Sequence, residues 1–491
     1  MSAPTAAAGI ARPRNLALGL AILCAAGGAA YWLWANSATP IQSIAVLSFA
    51  DNTPQRNREP LANGITYEIT DSLARIPGLR VMGATTVLAT RDPSQLQVEA
   101  LLNGEVQEAD GRLRVAVVLT RAENGSRLWA HTYNYPMREA SVIEQEISRA
   151  IARHVPGAHG WRPGKKPRAI AAEAYVAYLE GRYWAGKGDP ESLRTAIKKF
   201  EKATEVEPLF ARGLAWESIS EAYLVEADAE PPNSIMPSAR DAAERAATLE
   251  PDSGETHVAL GIVRLQYDRE WEDAKQELDR TVEQSPGSPM GWQWRGRWYA
   301  AMDRIEEAFA ETQKAQTIDP LSPRILADLA VESMALGRPD HAAEFVQKSA
   351  EVSPRVRIAA LYQSGQKDKA ALEFEEYRKT AAAARLPAPL WGAFPAFEPY
   401  VQEARATLTR IEELRTVRFT PADTFAMMAA TVRDKEAFFE WADTAYDERS
   451  PHLAYWRLRP GLPVEDPRFQ ELLERMNLPT PMASRESKRT E

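Results

Sequence analysis

Five prolines, at 208, 251, 286, 320 and 354, each close a helix-like stretch (EVEP, TLEP, EQSP, TIDP, EVSP) and follow one another at intervals of 43, 35, 34 and 34 residues. A repeat of that length is one helical hairpin. It cannot bury its apolar face alone, so neighbouring hairpins must stack into a solenoid. From Ala169 to about Met476 strand signals are absent while helical periodicity persists, so this whole region is expected to be α.

Positions inside the period agree. In the unit ending at Pro320, Trp292, Gly296, Tyr299, Ala308 and Ala315 occupy the slots of W-x2-L-G-x2-Y…A…A…P, with Arg295 where leucine is usual. This pattern resembles the tetratricopeptide repeat. Ala196, Phe200 and Ala203 fit the unit before Pro208, and Leu260, Gly261 and Ala274 the unit before Pro286. Trp216, Ile219, Tyr223 and Ala246 fit the unit between them, where an insertion near residues 226–237 accounts for the interval of 43. Gly337, Ala342 and Val346 mark a fifth unit, and Gly365, Ala370 and Phe374 a sixth. Residues 387–399 interrupt, and 425–451, with Ala437 and Trp441, form a seventh. Small residues recur because paired helices approach closely only where a side chain is short. The expected fold class is therefore multidomain and mostly α, with tetratricopeptide repeats over 169–385 and a C-terminal helical, repeat-like region over 386–478. The polar end, 479–491, is expected to be disordered.

A chain of 491 residues exceeds what one core serves. Residues 40–155 read as a small α/β unit. Its expected elements are a strand at 43–49, a helix at 60–75 with Leu61, Ile65, Ile69 and Leu73 at spacing four, and a second strand at 80–89. A three-stranded meander follows over 100–135, turning at Ala109-Asp110-Gly111 and Glu123-Asn124-Gly125, and a helix at 142–154 closes the unit. Residues 156–168, rich in proline, glycine and cations, read as a linker.

Residues 15–34 carry no charge, and 20 residues of helix measure about 30 Å, one bilayer core. Arg12 and Arg14 precede this run, and Tyr31, Trp32 and Trp34 end it. The expected arrangement is a cytoplasmic tail at 1–14 and a transmembrane helix at 15–35 in contact with the lipid bilayer. The bulk of the chain would then be periplasmic and held at a bacterial inner membrane. The alternative is a cleaved signal peptide with Ala35-Asn36-Ser37 at the cut, which would leave a soluble periplasmic protein. The single cysteine, Cys24, excludes an internal disulfide, and Leu23 before it does not suit lipid attachment.

SIAVLSFADNT, LANGITYEITDSLARIPGLRVM, the long meander segment and YLEGRYW at the head of the repeats together resemble a bacterial family that joins a TolB-like α/β domain to tetratricopeptide repeats. Near the carboxyl end, AYDERSPHLAYWRLRPGLPVEDPRFQELLERMNLP is similar to that family's closing segment. Members often carry a winged-helix DNA-binding domain or a nucleotide cyclase ahead of the membrane helix, where this sequence has 14 residues. TRDPSQLQVEA is also shorter than the helix such proteins show there. The resemblance implies an extracytoplasmic sensory or scaffolding module without its output domain.

Catalytic signatures are missing. Gly181 to Lys187 fits the start of a P-loop, but Gly188 stands where Ser or Thr must hold magnesium, and no strand precedes it. There is no G-x-S-x-G elbow. Histidines at 131, 154, 159, 257, 341 and 452 show no metal-ligand spacing, so neither metal nor cofactor is expected. A net charge of -9 disfavours nucleic acid. The expected function is a non-enzymatic scaffold that binds protein partners in the groove of the array, and the alternative is a sensory module binding a small ligand in the α/β domain. Candidate groove residues are Glu217, Glu221, Leu224, Val258, Ile262, Leu265, Gln293, Arg297, Ala327, Val331 and Met334. These slots are mostly apolar and lack a lysine and asparagine carboxylate clamp, which points to an apolar or helical segment as occupant. Alternatively, the groove is filled by this chain's own α/β domain or C-terminal helices.

Overall fold

The structure, a computed structural model, describes residues 40–52, 59–158, 161, 168–417 and 419–479. The expected cytoplasmic tail and membrane helix, much of the linker and nearly all of the polar end lie outside the described residues. Among the described residues no helix is long and apolar enough to cross a membrane.

The amino-terminal unit is built on a six-stranded sheet of order β3-β1-β4-β5-β6, with β2 paired to β4. β1 (Ser43–Val46) lies parallel to β3 (Arg80–Val81) and to β4 (Ala100–Ala109), and β2 (Ala50–Asp51) is also parallel to β4. β4, β5 (Arg112–Arg121) and β6 (Arg127–Pro136) form the antiparallel meander. Its first turn places Asp110 and Gly111 at φ 51° and 67°, the left-handed pair that a two-residue hairpin demands. Helices α1 (Glu59–Leu73) and α3 (Ser141–Ala152) cover one face. They bury Leu61, Ile69, Ile147 and Ile151 together with Val115, Val117 and Leu119.

The second strand is a correction to the sequence reading. It pairs over two residues only, and α2 (Ala84–Ala89) replaces the rest. The reason lies outside the unit. Gly83 N–H donates to Ile318 O (2.8 Å), and the Thr86 backbone and hydroxyl both donate to Asp319 (2.8 and 2.5 Å). These groups are spent on the helical array and turn the chain away from the sheet.

Six hairpins follow in unbroken succession. They are α4 (Ala172–Lys187) with α5 (Pro190–Val206), α6 (Ala211–Glu226) with α7 (Pro232–Leu249), and α8 (Gly254–Val263) with α9 (Trp271–Gln284). Then come α10 (Pro289–Ala301) with α11 (Ile305–Ile318), α12 (Pro323–Ala335) with α13 (Pro339–Gln347), and α14 (Pro354–Gln363) with α15 (Lys367–Ala383). Proline begins α5, α7, α10, α12, α13 and α14, where its missing N–H is no loss and its fixed φ suits the first turn. Pro354 therefore opens a helix, whereas Pro208, Pro251, Pro286 and Pro320 lie beyond helix ends. After an irregular stretch come α16 (Glu398–Leu408), α17 (Ile411–Val417) and a seventh hairpin, α18 (Ala422–Thr431) with α19 (Lys435–Asp447). A 3-10 segment (Pro451–Leu458) and α20 (Pro467–Arg475) end the described chain.

Close approach between paired helices is visible at Gly296. A Cβ there would lie 2.5 Å from Thr312 Oγ1 and 3.2 Å from Ala308 O. Gly296→Leu is expected to cost about 3 kcal/mol or more, at the upper end of overpacking effects, because backbone atoms of Ala308 and Thr312 stand just beyond the Thr312 hydroxyl and leave a long side chain no room. Thermal melts followed by circular dichroism check this, and an unchanged midpoint would show that α10 and α11 do not meet here.

The array does not stay open. Trp271 Nε1 donates to Met476 O (2.8 Å), Asn233 to Asp447 O (3.0 Å) and Arg449 to Tyr267 O (2.8 Å), so the last helices return to the second and third hairpins. One apolar cluster joins them, with Trp456, Phe469, Leu278 and Met236 all buried. At the other end α1 lies on α4, so close that a Cβ on Gly64 would be 2.2 Å from Leu179 O. Gly287 N–H donates to Ala74 O (3.2 Å), carrying the same unit across to the third and fourth hairpins.

Candidate functional site: a central chamber

Closure leaves an interior chamber of about 980 Å³. Its walls come from the first helices of successive hairpins, from the C-terminal half of α1 and from the 3-10 segment 451–458. The concave side of the array is thus shared with the chain's own α/β unit and carboxyl-terminal elements.

The walls are braced by ion pairs. Glu226, the last residue of α6, binds Arg297 (2.8 Å) and Arg324 (2.9 Å). Arg297 also binds Asp328 (2.9 Å), to which Gln293 donates (2.7 Å). Arg324 lies 3.8 Å from the ring centre of Tyr223. Burial alone would raise the Glu226 pKa, but the two guanidinium groups hold it at about 2. A second knot joins Asp228 to Arg355 (2.5 Å) and His452 (3.0 Å), and His452 meets Trp391 edge-on. Here too the charges overcome burial, and the Asp228 pKa is lowered.

Other lining groups are less well matched. Thr312 donates to one oxygen of Glu332 (2.8 Å), while Glu332 Oε2 has no partner within the protein, and burial drives this carboxyl pKa well up. Glu255 binds Arg75 through Oε1 (3.0 Å) and leaves Oε2 unpartnered. Gln266 sits in the π turn Arg264–Asp268 that ends α8, and its Oε1 is also unpartnered. Among the described residues no group of three or more His, Cys, Asp or Glu side chains is placed to hold a metal ion.

Val258, Gln293, Arg297, Ala327 and Val331 line this chamber. Leu224, Ile262, Leu265 and Met334 are instead buried between helices. Ile262 is 0% exposed, so an aspartate there would break the core rather than probe a groove. Glu217 and Glu221 face the neighbouring helices. Glu217 accepts from Thr204 of α5 (3.2 Å), and Glu221 is hydrogen-bonded to Ser238 of α7. On α6 the chamber is lined by Trp216, Ile219, Tyr223 and Glu226. Sequence reasoning also missed Asp71 and Arg75 of the α/β unit and His452 and Tyr455 of the 3-10 segment. The only available signals were the insertion after Glu226 and the family-like closing segment. The chamber is also far more charged than the apolar slots suggested, because ends of helices and loops contribute to it.

No family profile matches the sequence. The chain is 25% identical over 179 residues to a protein named putative adenylate cyclase 3 of Rhizobium meliloti (strain 1021), a match covering 34% of this chain and 28% of that one. It thus spans little more than a quarter of the curated relative. Among solved structures it is similar to the tetratricopeptide protein TTC0263 of Thermus thermophilus, with a TM-score of 0.32, 20% identity and coverage of 39% of this chain and 98% of that one. It is also similar to PilW, a type IV pilus biogenesis factor, with a TM-score of 0.33, 15% identity and coverage of 42% and 92%. A third likeness is to the human IFIT1 dimer, with a TM-score of 0.41, 13% identity and coverage of 69% and 81%. The helical repeats are established by the chain's own hairpins, independently of these likenesses.

Proposed function

We propose that the chain is a non-enzymatic, membrane-tethered scaffold with its bulk in the periplasm, and that its recognition site is the central chamber. The observation that carries this reading is the convergence of the inner helices, α1 and the 3-10 segment on one shared, partly open cavity. Its volume of about 980 Å³ lies at the upper end of small-ligand sites, roughly 300 to 1,000 Å³. A helix about 10 to 12 Å across would fill it within roughly two turns. With the chain's own elements on the concave face, a short chain terminus or a small molecule suits the space better than a long helical segment. Pairing of Asp71, Glu226, Asp228, Glu255 and Asp328 with the interior arginines supports binding over acid–base chemistry. The apolar run at 15–34 and its charge asymmetry support the tether.

A sensory role is favoured by a separate observation. The α/β unit supplies Tyr67, Thr70, Asp71 and Arg75 to the chamber, so an occupant would touch both units. The partial likeness to a putative adenylate cyclase is in keeping with signalling.

A photo-crosslinking residue placed at Ala327, inside the chamber, is expected to yield an adduct of defined added mass in intact cells, recovered with the inner membrane. The same residue at Leu372, which is 73% exposed, should yield none. An adduct at 372 but not at 327 would remove the chamber from the function.

A further inference from the structure

We propose that the chamber selects an organic cation, a ligand bearing an ammonium or guanidinium group, and that Glu332, Glu255 and Gln266 receive it. The proposal rests on the chamber being a binding site, and adds the chemistry of what it takes.

All five arginines in the lining are already spent on carboxylates. Arg75 binds Glu255, Arg182 binds Asp71, Arg297 binds Glu226 and Asp328, Arg324 binds Glu226, and Arg355 binds Asp228. An anionic ligand would have to compete with these partners for every guanidinium. The indole N–H groups of Trp216 and Trp391 are the buried donors left over in this lining, and Lys187 stacks on Tyr183 and Trp184, but the oxygens left over outnumber those indoles. Glu332 Oε2, Glu255 Oε2 and Gln266 Oε1 are buried and have no partner within the protein, and Glu332 and Gln266 are only 2% and 5% exposed. A buried acceptor without a donor is costly, so a ligand that brings N–H groups is favoured.

Net charge points the same way. Apart from Glu332, which burial keeps protonated, eight Asp and Glu side chains line the space against six Arg and Lys. Protein walls of low dielectric focus that excess and raise the local concentration of cations. The three free acceptors come from separate wall elements: α12, the first turn of α8, and the π turn after α8. Acceptors so dispersed suit N–H donors on a flexible chain better than a single ion. Tyr455 adds aromatic surface to the same lining, which favours cationic groups further, while the Trp216 ring is already stacked by Arg182.

Glu332 provides an independent readout. Burial and the charge of Asp328 on its own helix raise its pKa, against Thr312 of α11 and Arg297 of α10. Glu226 of α6 and Tyr455 of the 3-10 segment belong to the same charged surroundings. A cation seated against Glu332 draws off its proton, so binding at neutral pH releases a proton to the buffer.

The test is calorimetry on the full-length chain in detergent. The probes are spermidine, a capped hexapeptide with one central lysine, its norleucine counterpart and citrate. Binding of spermidine or of the lysine peptide, with the norleucine peptide inert, is expected. Which of the two binds more tightly distinguishes a free amine from a peptide side chain. Glu332→Gln and Glu255→Gln should each weaken binding about tenfold or more. Glu332→Gln should also abolish the dependence of the heat on buffer ionisation, and an unchanged melting midpoint for the empty variants would show that the fold is intact. Citrate binding with both cations inert overturns the cation assignment and leaves the chamber reading standing. Failure of all four probes overturns the assignment too, while crosslinking at Ala327 still judges the chamber. Cation affinity unchanged in both variants places the cation elsewhere and overturns the proposal.

Discussion

Replacing Arg182 by methionine is expected to lower the stability of the chain by about 3 to 5 kcal/mol and to free the α/β unit from the first hairpin. Arg182 projects from α4 and is 3% exposed. Its guanidinium donates to Glu68 and to Asp71 (2.6 Å), both on α1, and stacks on Trp216 of α6 at 3.9 Å. Glu68, 1% exposed, also accepts from Tyr178 (2.7 Å) and from Arg212 (2.5 Å), which reaches on to Glu144 (3.0 Å). Loss of Arg182 therefore leaves the part-exposed Asp71 without its cation and the buried Glu68 short of one. Truncating one member of a buried charge network is among the most destructive single changes, although the intact network need not stabilise the fold over an apolar substitute. The triple variant Glu68→Gln/Asp71→Asn/Arg182→Met should accordingly recover much of the loss. Urea denaturation measures both, and limited proteolysis reports release of the α/β unit. A cost below about 1 kcal/mol in the single variant would mean that this cluster does not join the two units. Asp71 and Arg182 also line the chamber, so the joint and the proposed binding site share a wall.

The parts of this fold legible in the sequence are those written in a local or periodic code. Proline, Gly296 and Ala308 recur because each hairpin meets the next in the same way, and the meander announces its turns through Asp110-Gly111 and Asn124-Gly125. The second strand reads too long in the sequence because Thr85, Thr86 and Val87 have strand propensity, and the partner that overrides it, Asp319, lies 233 residues from Thr86. Closure of the array was open in the sequence for the same reason. Trp271 and Met476 meet across 205 residues, and Asp228 and His452 across 224, with no pattern to link them. The chamber-facing positions were readable in α10 and α12, whose neighbours follow the regular period. In α6 they were not. That helix is buried on nearly every side, so its apolar residues carry little directional signal, and its partner α7 follows the insertion.

Glu221, read from the sequence as a groove residue, is expected to make the stability of the array fall as pH rises. It is 4% exposed, one turn after Glu217, and its Oε2 has no partner within the protein. Burial first, and then the charge of Glu217, push its pKa from 4.5 up to about 8, while burial raises Glu217 to about 7. The folded chain thus holds protons that the unfolded chain has released. Between about pH 4.5 and 8 the unfolded state binds fewer protons, which makes the slope of unfolding free energy against pH negative. Stability linked to Glu221 is fully present below its unfolded pKa, is lost as pH passes through the folded value, and then levels off. The loss amounts to something on the order of 4 kcal/mol. Other buried acids titrate too, so the decisive quantity is the difference between the wild type and Glu221→Gln. Urea denaturation at pH 5.5 and 8.5 should show the variant gaining on the wild type at the higher pH by a few kcal/mol, since glutamine cannot ionise. An equal difference at the two pH values would show that the Glu221 carboxyl keeps one charge state across this range.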